Sequence, residues 1–227
     1  MVNWKETNPR PQEYYFPLGW RPFPNLETIL PPTPTSSDTI PLLCNRDVSA
    51  VISDIRSGPL PPGIHTRFAF LPTYAQAAWH FEAEEFTASK IFTSPPRTPS
   101  IKGAISSSGE TWGYWVHNYN EDKLIFLRLV SLHSSTPEEE RATSEIAAVL
   151  RAAQAEAADW SLKKAVIWNP EPRTLAACKL VLGDEKEPEV QKRTDQSIPC
   201  LRWKGGSGEG EVEKGVAWVA LEKYSWC

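Results

Sequence analysis

The sequence predicts an α+β protein: a mixed, twisted sheet with helices on both faces. Two observations carry this expectation. Segments of helical and of strand periodicity alternate in the order α-β-β-β-α-β-α-β-β. The longest helical segment, 138–160, falls between strand-like runs, where it would pack across the sheet they form. Hydrophobic content of 41% and charged content of 23% suit a soluble globular chain able to bury a proper core.

The elements follow in order. Residues 1–60 read as a Pro-rich N-terminal arm ending in a short helix, and residues 61–227 as the folded domain. In the arm, "FPLGWRPFP" and "LPPTPTSSD" exclude long helices and ladders, leaving one edge strand at "EYYF". Residues 42–56 place Leu43, Val48, Val51, Ile52 and Ile55 on one side of a helix, which "SGPLPPG" breaks. "HTRFAFLP" is a strand stopped by Pro72. A helix over 73–92 follows, with Thr73 as N-cap and Ala75, Ala78, Trp79 and Phe86 as its apolar positions. "KGAISSS" and "TWGYWVHNY" form a hairpin through Gly109, and "KLIFLRLVSL" adds a third strand. The 138–160 helix has an acidic start and a stripe of Ile146, Val149, Leu150, Ala153 and Ala157. "KKAVIWNP" is a strand stopped by Pro170, and "TLAACKLVLG" a helix capped by Gly183. "IPCLRWKG" and "VAWVALEKYSW" close the chain as two more strands of the same sheet, around a Gly-rich loop.

Charge and composition narrow the partners. A net charge of −4 and a pI near 5.7 argue against nucleic acid, which needs a basic face. No apolar run is long enough to span a membrane, and the N-terminus lacks the pattern of a signal peptide. Cys44, Cys178, Cys200 and Cys227 are scattered, without metal-ligand or disulfide spacing, so a reducing, cytoplasmic setting is expected. Ten Trp against one Met point to a stiff aromatic interior or to a cavity for a flat, apolar small-molecule substrate.

"WHFEAEEFTASKIF", "KGAI", "LRLV", "LRAAQAEAADWSLKKAVIWNP", "SIPCLRW" and "WVALEKYSWC" resemble, in order, the C-terminal half of fungal lysine N-acetyltransferase-like proteins of the GNAT superfamily. "EYYFPLGWRPFP" resembles the last strand of the GNAT domain that precedes it there. The resemblance runs from Glu13 to Cys227 and implies a GNAT-like sheet, in a chain without the N-terminal acetyl-CoA-binding domain. In such enzymes the pyrophosphate rests on backbone N–H groups of a Gly-containing turn at a helix N-terminus. The corresponding junction here, "SLHSSTPEEERATSE", has no glycine, and none occurs between Gly113 and Gly183. Glu138, Glu139 and Glu140 stand where a polyphosphate would lie. One such repulsion at ~4 Å costs about 4 kcal/mol at an effective dielectric near 20. No cofactor is therefore expected.

The candidate site lies between the 73–92 helix and the central strands. His80 and Glu84, four residues apart on one helix, form a candidate acid–base pair, with Glu85 as the neighbouring carboxylate; a solvated charged face is the plainer alternative. Strand alternation puts Trp115, His117 and Tyr119 on one face, either as a cavity wall or as a packed aromatic cluster. Trp79 and Trp168 complete the aromatic lining. Asn169, at the end of a central strand, would orient a substrate carbonyl, or simply stop the strand. His133 would face the cofactor groove, either as a catalytic group or, more plainly, as an exposed side chain. Neither metal-ligand spacing nor a serine-hydrolase motif is present.

Three functions of different class follow. The first is a cofactor-independent enzyme of fungal secondary metabolism, a cyclase or isomerase (pericyclic chemistry included) acting on a small, largely apolar metabolite. The second is an acetyl-CoA-dependent N-acetyltransferase. The third is a non-catalytic partner protein, with a homodimer as one form of it.

Overall fold

The computed structural model describes residues 33–36, 38–133, 138–183, 187–191 and 215–226. In chain order the elements are β1 (Thr33–Ser36), α1 (Ile40–Ser57), β2 (Thr66–Phe68), α2 (Tyr74–Ile91), β3 (Ile101–Ile105), β4 (Thr111–Asn118), β5 (Lys123–Ser131), α3 (Glu139–Asp159), β6 (Lys164–Val166), α4 (Pro172–Leu182) and β7 (Val216–Trp218). Five strands form one sheet in the order β1-β3-β4-β5-β6. The β3–β4 and β4–β5 pairs are antiparallel, the β5–β6 pair is parallel, and the sheet is mixed.

The β3–β4 turn uses Gly109 at φ +75°, with its N–H on the Ser106 carbonyl at 2.9 Å. A left-handed residue is needed there, and glycine supplies it without steric cost. Core β4 is buried on both faces from Thr111 to His117. Trp112, Tyr114 and Val116 pack with Ile40, Leu43, Ala77 and Phe81 of α1 and α2. On the opposite face Trp115, Leu124 and Phe126 meet Ile146, Val149, Leu150 and Ala153 of α3. Burying each large aliphatic of that stripe contributes roughly 1.5–3 kcal/mol. Gly113 lets α3 approach: a Cβ there would meet Phe126 at 2.8 Å and Val149 at 3.1 Å.

Three expectations need correcting. β7 does not join the main sheet; it pairs in parallel with β2 in a separate two-stranded sheet. Thr33–Ser36, grouped by composition with the arm, is instead the edge strand on β3, where Pro34 can be tolerated, and α1 contributes to the core. Helix α2 is turned relative to its expected apolar face. Ala77, Phe81, Glu84 and Ala88 face inward, and Trp79 and Phe86 are 59% and 66% exposed. Glu84 goes inward with them, onto Lys102 and the His117 N–H. The strands expected at "EYYF" and "IPCLRWKG" lie outside the described residues.

Candidate functional site

The sheet opens at two places. β6 pairs with β5 only over Lys123–Ile125, so the rest of β5 has β4 on one side and a gap on the other. In that gap the Leu129 N–H donates to Glu222 Oε2 at 2.9 Å. The Glu222 carboxylate is also paired with Arg128 Nη1. Arg128 in turn grips Asp47 of α1 with two parallel hydrogen bonds, Nε to Oδ2 at 2.7 Å and Nη2 to Oδ1 at 2.8 Å. A register shift in the β4–β5 ladder leaves Leu127 without an opposite residue, so that Arg128 lies across from Tyr114 on the α1 face.

Beside this triad is a cleft of about 480 Å³, walled by α1, the end of β5, residues 167–174 and the segment Trp218–Glu222. Trp168, Asn169 and Trp218 line it together with Arg128 and Glu222. Burial pushes the Glu222 carboxyl up to about 7, against the opposing pull of Arg128. Burial also opposes charge on Arg128, but Glu222 and Asp47 together hold its guanidinium firmly protonated. The result is a carboxyl whose affinity for a proton is raised by burial, beside a fixed cation and open volume.

The second opening lies on the other side of the core strand. β3 pairs with β4 only over Trp112–Tyr114. Beyond it, the His117 N–H donates to Glu84 Oε1 at 2.6 Å, and the same oxygen lies 2.6 Å from His117 Nδ1. Lys102 of β3, 1% exposed, pairs with the other Glu84 oxygen, and Glu85 is 3.6 Å from it. His117 Nε2 is 3.1 Å from Glu156 Oε1, which also accepts from Trp160 Nε1 at 2.8 Å. Burial alone would lower the His117 imidazole, but the hydrogen bonds to Glu156 and Glu84 outweigh it and raise it above the usual 6.5.

The structure therefore divides the residues singled out from sequence. His117 and Glu84 come together in a buried network, and Tyr119 stacks on His117 at 6.0 Å between ring centroids. His80 does not join them. Its Nε2 lies 3.2 Å from the Tyr224 carbonyl, and burial holds the imidazole below its usual value. Trp115 is fully buried in the α3 core and Trp79 is exposed, so neither meets Trp168. Trp168 and Asn169 line the β5–β6 cleft instead. Asn169 takes φ +49° and donates from Nδ2 to the Leu221 carbonyl, fastening the C-terminal segment over the cleft.

His133, expected to be exposed, is 8% exposed, with Nε2 2.9 Å from Glu145 Oε2. Ser106 and Ser108 donate to the same oxygen. Burial would raise the Glu145 carboxyl, but these three partners hold it at about 2. At the α3 junction Arg173 binds Glu139 at 2.5 Å, and His133 Nδ1 is 3.6 Å from Glu138. Two of the three acidic charges expected there thus have cationic or imidazole neighbours. Residues missed in the sequence are Arg128, Asp47, Glu222 and Lys102. The available signal was a charge inside an apolar element, in "LIFLRLVSL" and "IKGAI". Among the described residues no group of His, Cys, Asp or Glu is arranged to hold a metal ion, and no helix is long and apolar enough to cross a membrane.

A mixed sheet with helices on both faces, opening between two neighbouring parallel strands, is the architecture of a GNAT-like domain. The family model described as the LYC1 GNAT-like C-terminal domain matches residues 30–227, and the chain belongs to that family. No curated protein and no solved structure matches the chain.

Proposed function

We propose that this GNAT-derived domain binds a small, largely apolar metabolite in the β5–β6 cleft and acts on it without acetyl-CoA, as a cyclase or isomerase would. One observation carries the reading: the chain's own Glu222 carboxylate enters the gap in the sheet and takes the Leu129 N–H. An acyl-CoA threaded along β5 would replace that carboxylate with neutral amide oxygens and leave the buried Arg128 guanidinium without its second anionic partner. The absence of glycine between Gly113 and Gly183 works in the same direction. Trp168 and Trp218 supply flat apolar walls, and Arg128 and Glu222 the charged and proton-carrying groups beside them. Holding one reactive conformer and moving one proton are what such reactions ask of a protein.

In this reading His117, Glu84 and Glu156 stiffen the sheet beside the site, and His80 ties α2 to the C-terminal segment at Tyr224. The test is calorimetric titration with acetyl-CoA. No saturable binding is expected; a dissociation constant in the low micromolar range, with a thermal shift, would refute the proposal and favour the acetyltransferase reading.

A second reading rests on a different observation. Trp79 and Phe86, seven residues apart, present an exposed aromatic stripe on α2. A protein partner, a second copy included, would cover it. Sedimentation of the chain across a concentration series checks this: self-association lost in Trp79→Ser supports it, and a monomer throughout removes the homodimer.

A further inference from the structure

We propose that the β5–β6 cleft is a receptor for a carboxylate on the ligand, and that Glu222 is a built-in placeholder for that group. The inference rests on the cleft being the ligand site, and adds the ligand's chemistry. Glu222 is met at one time by Arg128 Nη1 and by the Leu129 N–H. A guanidinium N–H beside a backbone N–H offers one donor to each oxygen of a single carboxylate. Arg128 is oriented in advance, because its other edge is committed to both oxygens of Asp47. Preorganisation of this kind lowers the cost of binding.

Nothing else about the fold has to change for an exchange. Glu222 hangs from a segment fastened independently by Asn169 to the Leu221 carbonyl and by the Tyr224 hydroxyl to the Phe70 and Ala220 carbonyls at 2.6 and 2.9 Å. Rotation of the Glu222 side chain is enough. One carboxylate leaves and another enters, so the buried guanidinium never loses its second partner, the loss that makes a broken buried pair so costly. A phosphate would bring a second negative charge next to Asp47, and Arg173, farther along the cleft wall, is already committed to Glu139. Behind the carboxylate position the cleft runs along Trp168 and Trp218. The ligand class is therefore a flat apolar body bearing one carboxylate.

The exchange is pH-dependent. The groups facing Glu222 are Arg128 from β5 and Asp47 from α1. Asp54, Glu171 and Arg173 stand farther along the cleft wall, and Lys223 and Tyr224 follow on its own segment. Glu222 is the member pushed up to about 7. Below that pH it is neutral and a weaker competitor for Arg128, whereas an ordinary ligand carboxylate stays ionised.

Indole-3-acetate is a suitable probe, with indole-3-acetamide as its neutral match. Calorimetry on the wild-type chain, Glu222→Ala and Glu222→Gln is expected to give three results. The acid binds Glu222→Ala about tenfold or more tightly than wild type, a difference of ~1.4 kcal/mol. The amide gains nothing. Wild-type affinity for the acid rises as pH falls from about 8 to about 6, with the change centred near the Glu222 value. If Glu222→Ala does not fold, Glu222→Gln carries the test, because it keeps an acceptor for the Leu129 N–H while removing the charge that holds Arg128. Acid and amide binding alike, or no gain in either variant, would overturn the proposal. Failure of the probe without acetyl-CoA binding defeats this inference alone. Acetyl-CoA binding at low micromolar defeats the proposed function beneath it.

Discussion

At His117 the opening in the sheet is filled solid, whereas at Leu129 the same device leaves a cleft. Both times a strand N–H that has lost its neighbouring strand is met by a carboxylate, Glu84 or Glu222, and both times a buried cation backs the carboxylate, Lys102 or Arg128. The difference lies in what stands behind. Glu84 belongs to a helix packed on the sheet, and His117, Glu156 and the rings of Tyr119 and Trp160 occupy the remaining space. Glu222 comes from a terminal segment that bridges the gap without filling it. A buried ionic network by itself does not mark a site; a network beside accessible volume does.

Substitutions sharpen the contrast, beginning with the largest effects. Trp115→Ala removes a fully buried ring from the α3 core and is expected to cost about 3–5 kcal/mol in urea unfolding. Trp168→Ala, at the cleft, should leave stability nearly intact and weaken ligand binding. Equal losses of stability in the two would erase the distinction between core and site. Lys102→Met strips Glu84 of its cation in a dry place, and a loss of about 3–5 kcal/mol is expected. Adding Glu84→Gln to Lys102→Met should recover part of it, since the amide oxygen still caps the His117 N–H. A loss under about 1 kcal/mol would mean that solvent reaches the opening at His117.

The His117 network also predicts a pH dependence. Its folded-state value is raised above 6.5, so its stabilisation is complete below the unfolded value and is lost as pH rises through the folded one. Unfolding free energy measured from pH 6 upward should fall in the wild type, and that component should vanish in His117→Gln. At the small end, Trp79→Ser on the exposed face of α2 is expected to change stability by no more than about 0.5 kcal/mol.

Much of the fold was legible in the sequence. The Ala-rich stripe of α3 and the hydrophobic runs of β4 and β5 have a single dominant period, and the elements lie where that period places them. The short edges were not. β1 is disguised by Pro34, and β7 has the sequence of a central strand but only three paired residues, with β2 as its partner. Trp168 and Asn169, singled out for following a strand, line the β5–β6 cleft and not the one expected beside the 73–92 helix. The ionic triad was not legible, because Arg128 is separated by 81 residues from Asp47 and by 94 from Glu222. Spacing along a chain says nothing about partners brought together only by tertiary packing. The α2 face was misjudged for a related reason. Periodicity counts apolar residues, and it passes over a carboxylate such as Glu84 that faces inward to partners on other elements.

The most direct test of the account is the Leu129 amide in a ¹⁵N–¹H spectrum recorded across pH. A donor bonded to the Glu222 carboxylate reports its protonation, so the resonance should titrate with a midpoint near 7 in the wild type and stay flat in Glu222→Gln. A Leu129 resonance that does not move between about pH 5 and pH 9, or one that still titrates in Glu222→Gln, would contradict the claim that a proton-exchanging Glu222 closes the gap in the sheet.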